Sequence, residues 1–344
     1  AQPQAQTFPR PSGKDQYVIE GDELPLDDTF RDTRLQVEGQ WTQPVGDTMR
    51  GSAGLHFSKE YDYLSLSANA SIAKDFNQRN TTVSAGLSLA FDTIDPEGGR
   101  PLAFSEMVVD KGQFANEQAY QTVFDATRHE GTDDKNMLDL MLGVTQVINR
   151  RMLMQFNYSY SKVDGYLSDP FKVLSLLDSN GYAQDYLYES RPDSRVKQSL
   201  FAQTKYHFEQ NVIDVSYRYM WDDWEIDSHT IDSKLRVPLS STSYLEPHLR
   251  FYQQTAADFY RPFLMQSNPM PMFASADYRI GEMSAYTVGL KYGMKLNDGN
   301  DLSFRLEYYR QNPKNAGYQA PDALESADIY ESVDAIIAQV SYSF

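Results

Sequence analysis

The last stretch of the chain alternates with strict period two. Ile336, Ala338, Val340, Tyr342 and Phe344 are apolar, and Gln339, Ser341 and Ser343 fall between them. Successive side chains of an extended strand point to opposite faces, so this pattern gives one apolar and one wet face; a helix, with its period of 3.6, would scatter both. The pattern recurs along most of the chain. Leu35, Val37 and Trp41 alternate with Gln36, Glu38 and Gln40, and Val83, Ala85, Leu87, Leu89 and Phe91 with Thr82, Ser84, Gly86 and Ser88. Met152, Met154, Phe156, Tyr158 and Tyr160 follow the same rule, as do Tyr286, Val288, Leu290, Tyr292 and Met294.

These segments run roughly 10–14 residues, against about 5–6 for an ordinary soluble strand, and so match a tilted strand that crosses a bilayer. Tight turns near 46, 78, 149, 210, 241 and 298 alternate with long connections at 94–134, 164–192, 257–282 and 312–332. Short turns at one end and long loops at the other are the mark of an outer-membrane barrel. The fold expected is all-β: a transmembrane, antiparallel up-and-down β-barrel of about 14 strands, within a range of about 12–16, spanning residues 15–344. Reaching 14 requires a weak strand near Gln16 to Gly21. Residues 1–14 read as a disordered mature start, with a cleaved signal expected just upstream. Closure is required because every backbone polar group in hydrocarbon needs a partner. The terminal Phe344, after alternating aromatics, resembles the signal read by the barrel-assembly machinery.

Composition narrows the function classes. No cysteine occurs, which excludes disulfides, thiolate metal sites and thiol nucleophiles. The formal net charge of −17 argues against nucleic acid as the partner, since phosphate recognition needs a basic face. No run approaches the 18 apolar residues of a transmembrane helix. The sequence has 24 tyrosines and 18 phenylalanines, suited to interfacial belts.

Alternation also lists the inward face. A basic wall is expected from Lys205, Arg218, Lys234, Arg236, Arg250, Lys291, Lys295 and Arg305, set among the carboxylates Asp214, Asp232, Glu246 and Glu307. The N-terminal half offers small neutral residues instead: Ser65, Ser67, Asn69, Ser71, Ser84, Gly86, Ser88, Gly143, Asn157 and Ser159. Two readings stay open. Either the charges pair across strands as a salt-bridge lattice, or the basic wall favours anions in a conducting pore. The excess negative charge is expected in the loops, with Asp92, Asp95, Glu97, Glu106, Asp110, Glu117, Asp125, Glu130, Asp133 and Asp134 in the first long one. There it gives a solvated surface or bridges through divalent cations to anionic lipopolysaccharide.

Two further groups stand out. Asp222, Asp223, Trp224 and Glu225, with His229 nearby, form a short outer turn; they read as turn chemistry with Trp224 in the aromatic belt, against a metal site built from oxygen and imidazole. Residues 256–275 are apolar for a loop: Phe259, Tyr260, Phe263, Met265, Met270, Met272 and Phe273 are either packed on the loop at 101–124 or form a partner surface. Five scattered histidines lack metal-ligand spacing, so no metal and no cofactor is expected. No nucleophile elbow or phosphate loop occurs, and alternation brings together no serine, histidine and carboxylate set, so no enzyme is expected.

Several words of the sequence carry a family resemblance. Tyr217-Arg218-Tyr219, Asp222-Asp223-Trp224, Ser228-His229-Thr230, Arg250-Phe251-Tyr252 and Ala256-Ala257-Asp258-Phe259-Tyr260, with GVTQVINRR at 143–151, GYLSDPFKV at 165–173 and RPDSR at 191–195, resemble the domain-of-unknown-function 3570 family over roughly residues 130–292. The resemblance implies a bacterial outer-membrane barrel without an established activity. It also implies a neighbourhood of small lipoproteins and of flavin-transferase or thioredoxin-like proteins, hence an envelope redox setting. The expectation is a multi-pass barrel of a Gram-negative outer membrane, acting as a porin-like channel for small hydrophilic, anionic solutes. The alternative is a non-conducting barrel that anchors a lipoprotein or periplasmic redox protein.

Overall fold

The computed structural model of the protein describes residues 6–9, 16–19, 33–108, 111–296, 299–319, 321, 324–325 and 329–343. Strands β1 (Gln6–Pro9) and β2 (Gln16–Ile19) pair with each other as a separate hairpin. This differs from the expectation in two ways: the segment 1–14 contains a strand, and the strand at 16–19 does not join the large sheet. Phe344 and the turn residues Asn297 and Asp298 lie outside the described residues.

Thirteen strands form one antiparallel sheet. They are β3 (Leu35–Pro44), β4 (Met49–Lys59), β5 (Tyr63–Phe76), β6 (Thr81–Ile94), β9 (Asp133–Asn149), β10 (Met152–Gly165), β13 (Ser194–His207), β14 (Val212–Asp222), β15 (Asp227–Pro238), β16 (Ser243–Gln254), β18 (Met283–Lys295), β19 (Asp301–Pro313) and β20 (Val333–Ser343). The order is a simple meander, each strand lying beside those that precede and follow it in the sheet. The expected count of about 14 is corrected to thirteen in this sheet, because β2 is taken up by β1. The edges are β3 and β20; an odd number of antiparallel strands makes them run the same way.

The meander's parity places the turns at 45–48, 77–80, 150–151, 208–211, 239–242 and 296–300 at one end. The connections 95–132, 166–193, 255–282 and 314–332 all lie at the other, with the short turns 60–62 and 223–226. The face toward solvent outside the sheet is apolar: Leu55, Leu142, Leu200, Leu249 and Leu306 are each more than half exposed. A band of that size is untenable in water and is what a strand presents to lipid.

The long connections are folded. The first carries β7 (Arg100–Pro101), a helix α1 (Glu117–Ala126) and β8 (Arg128–His129). Asn116 caps α1 by accepting from the Ala119 amide, and Tyr120 and Phe124 bury its apolar side. The second carries β11 (Val173–Leu177) and β12 (Ala183–Tyr188); the third adds β17 (Leu264–Met265) parallel to β11. The Phe104 and Met107 amides donate to the Tyr188 and Tyr186 carbonyls, and the Arg261 guanidinium donates to the Tyr318 hydroxyl at 2.6 Å. The four long connections thus form one cap at one end of the sheet.

Candidate functional site

The inward face is built by register. Lys205, Asp214, Lys234, His248, Gly289 and Glu307 stand side by side on successive strands from β13 to β19. One row closer to the cap, Asp232 opposes Arg250. Neighbours of opposite charge meet: Lys205 Nζ lies 3.1 Å from Asp214, Lys234 Nζ lies 3.5 Å from Asp232, and Arg305 Nε lies 3.8 Å from Glu307. His248 contacts carboxylates through both ring nitrogens, Nε2 to Asp232 at 2.9 Å and Nδ1 to Glu307 at 2.8 Å.

That lattice leaves cations over. Among the described residues no carboxylate lies within ion-pair distance of Arg218, Arg236, Arg250, Lys291 or Lys295. Arg218 sits over the Phe201 ring at 5.6 Å and Arg236 over the Tyr244 ring at 3.6 Å, both exposed on the polar face of the sheet. Glu246 opposes Lys291 in register without pairing to it. The charge-pairing lattice is therefore present, and it does not consume all of the basic residues.

The N-terminal half is as small as alternation implies, with Ser71 opposite Gly86, Ser84 opposite Gly143 and Asn69 opposite Ser88. Charged groups interrupt it: Arg50 lies 3.9 Å from Asp75, and a second cluster gathers around Asp92. Asp92 is buried on the inward face of β6, where the Tyr63 hydroxyl donates to it and Lys135 Nζ lies 3.2 Å away. Its assignment to the first long loop is corrected, as are those of Asp133 and Asp134, which belong to β9. The signal was present, since Asp92 has the same parity as Ser88.

The outer turn does not gather its polar groups at one point. The Asp222 carboxylate accepts from Arg195 Nε at 2.8 Å and from the amides of Trp224 and Ile226. Asp223 accepts from the Val196 amide, while Glu225 is exposed with φ of +66°. His229 faces outward, its Nδ1 2.7 Å from the Tyr217 hydroxyl. Trp224 corrects the belt expectation: it is 4% exposed, packs edge-on against Phe259 and donates from its indole to the Ser194 carbonyl. An indole N–H buried with a carbonyl partner belongs to a core, and here the core is the cap.

The apolar loop divides. Phe259, Tyr260 and Phe263 are buried, Phe273 packs against the cluster of Trp224, Ile226 and Ile280, and Met265 pairs within the cap strands. Met270 and Met272 remain exposed. Beneath them lies a charged network that the sequence did not announce. Arg191 donates to Glu189 at 3.0 Å and to Asp277 at 2.9 Å, Arg279 Nε lies 2.8 Å from Asp277, and the Ser275 hydroxyl donates to Glu189. Burial alone would raise the Asp277 carboxyl, but hydrogen bonds from Arg279 and Arg191 hold it at about 2. Burial dominates at Glu189 and pushes its carboxyl up despite Arg191.

No curated protein matches the sequence. The family model described as Protein of unknown function (DUF3570) matches residues 1–344, more than the stretch in which the resemblance was legible. Among solved structures, the siderophore receptor PirA from Acinetobacter baumannii is similar at 8% identity and a TM-score of 0.51, over 91% of this chain and 48% of that one. A variant of the ferric enterobactin receptor PfeA from Pseudomonas aeruginosa, in complex with enterobactin, is similar at 10% identity and a TM-score of 0.51, over 83% of this chain and 43% of that one. The chain spans less than half the length of these receptors. At such identity the likeness gives the fold alone, that of outer-membrane β-barrel proteins.

Proposed function

The chain belongs to the DUF3570 family, and from the geometry of this member we propose that it is an outer-membrane channel. Its hydrated lumen favours small anionic solutes, and its cap restricts the long-loop mouth. The observation that carries the reading is the cation excess on the inward face of β14 to β18, where Arg218, Arg236, Arg250 and Lys291 keep no carboxylate partner among the described residues. Rings and rows of arginine and lysine bias a pore toward anions. Transport is passive, and no residue of the wall is asked to make or break a bond.

The test is single-channel recording of the purified protein in a planar bilayer. Anion-selective openings that lose or invert their selectivity in an Arg236→Glu/Arg250→Glu variant support the reading. A folded barrel that stays silent, or that selects cations, overturns it.

One observation favours a second reading, a non-conducting barrel that holds a partner lipoprotein or redox protein. The wall from β4 to β10 carries small residues at its centre, with Ser71 opposite Gly86 and Ser84 opposite Gly143, which suits an extended segment. Co-purification of a stoichiometric envelope protein with a barrel that conducts no ions would favour that reading over the channel.

A further inference from the structure

The leftover cations are not spread evenly. Near the short-turn end, Tyr244 extends from β16 across β18 and fills the space above Gly293, where any side chain would overlap its ring. Arg236 Cζ lies 3.6 Å from the centre of that ring, and Lys291 Nζ lies 5.9 Å from it. A guanidinium stacked on an aromatic face is oriented without being neutralised. Two cations are thus gathered around one ring, both without a carboxylate partner among the described residues. One row up the wall, by contrast, Lys205 and Lys234 are matched by Asp214 and Asp232, and Arg305, opposite Lys291 in register, is matched by Glu307. Glu246, opposite Lys291 in register, is spent on neither cation.

We propose that Arg236 and Lys291, held around Tyr244, form an anion-binding station on the inward face, and that its ligand is a small divalent oxyanion of the hydrogen-phosphate class. The planar fork of Arg236 suits two oxygens of such an ion, and Lys291 supplies the second charge. Glu246 accepts the P–OH hydrogen, which sulfate lacks. The station lies at the end of the sheet away from the cap, where a solute reaches it without passing the long connections. The inference rests on the hydrated, cation-rich lumen proposed above.

The experiment is calorimetric titration of the detergent-purified full chain with inorganic phosphate and, separately, sulfate. Heat-modifiable gel mobility confirms that each variant is folded. Saturable phosphate binding is expected, at least tenfold tighter than sulfate. Arg236→Gln and Lys291→Gln each weaken it tenfold or more, Gly293→Val weakens it by displacing the ring, and Glu246→Gln erases the preference over sulfate. Absence of saturable phosphate binding, or binding indifferent to Arg236→Gln in a folded protein, overturns the station. The bilayer recording separates the two proposals. Phosphate binding by a silent barrel keeps the station and rejects the channel; an anion-selective channel that binds no phosphate does the reverse.

Discussion

Glu307 reaches His248 across an entire strand. Its Oε1 lies 2.8 Å from His248 Nδ1, although β18 separates their strands, because the residue between them is Gly289. A Cβ there would stand 2.7 Å from Glu307 Cγ. With Asp232 on the other ring nitrogen, the imidazole ties β15, β16 and β19 together. Both contacts are hydrogen bonds at once only if the imidazole carries two protons or one of the carboxylates carries one.

Gly289→Ala should therefore swing Glu307 away from His248 and cost about 1–3 kcal/mol, as overpacking does. Urea midpoints in lipid or detergent measure it. If the lost contact is the cause, Gly289→Ala and His248→Gln will not add, since the two changes remove one interaction. Strict additivity would place the cost elsewhere.

Leu249 and Arg250 are neighbours that face opposite environments. Leu249→Arg puts a charge on the lipid side and should cost about 2–4 kcal/mol if that residue lies near the bilayer midplane. Arg250→Gln should leave the urea midpoint nearly unchanged and alter ion selectivity instead. Equal stability effects would contradict the assigned faces.

In the cap, Arg191→Ala leaves Glu189 and Asp277 buried without their shared cation. Breaking a buried ion pair on one side costs about 3–5 kcal/mol, so the cap should open while the strands persist. Limited proteolysis should then cut within 166–193 or 255–282, with the sheet unchanged by circular dichroism. Trp224→Ala should act in the same direction, at a cost of about 3–5 kcal/mol, because Trp224 fills the cap core beneath Phe259.

The pH dependence of the cap follows from Asp277. Its carboxyl in the folded protein titrates at about 2, below the ordinary value of about 3.9. A depressed folded value means that the group's contribution is complete above about pH 4 and is lost as pH falls toward 2. Glu189, raised by burial, works the other way: its contribution is present at low pH and is lost as pH rises through its folded value. Asp277→Asn should thus weaken the cap at pH 7 and make little difference near pH 2. Hydrogen exchange of the amides at 274–281, followed against pH, reads this directly.

The strands were legible because alternation is a local property. Leu249 and Arg250, or Ser84 and Ala85, declare their faces from nearest neighbours alone, and the spacing of turns fixed which connections share an end. The family words were likewise local, though the family model extends over all of the chain. The strand count failed where pairing, not pattern, decides: Gln16–Ile19 reads as a barrel strand until Gln6–Pro9 takes it. Trp224 failed for the same kind of reason, since an indole at a strand end belongs to a belt unless something covers it, and Phe259, 35 positions along the sequence, covers it.

The sequence by itself thus determined an apolar outside, a polar inside and two unlike ends, because period two and turn length act over a few residues. Only the tertiary structure decided that Glu307 crosses Gly289 to His248, that Arg236 settles on Tyr244 and that four long connections close into one cap. Those contacts depend on register between strands and on packing between distant loops, where a single side chain missing at Gly289 or Gly293 sets which charges meet and which remain free.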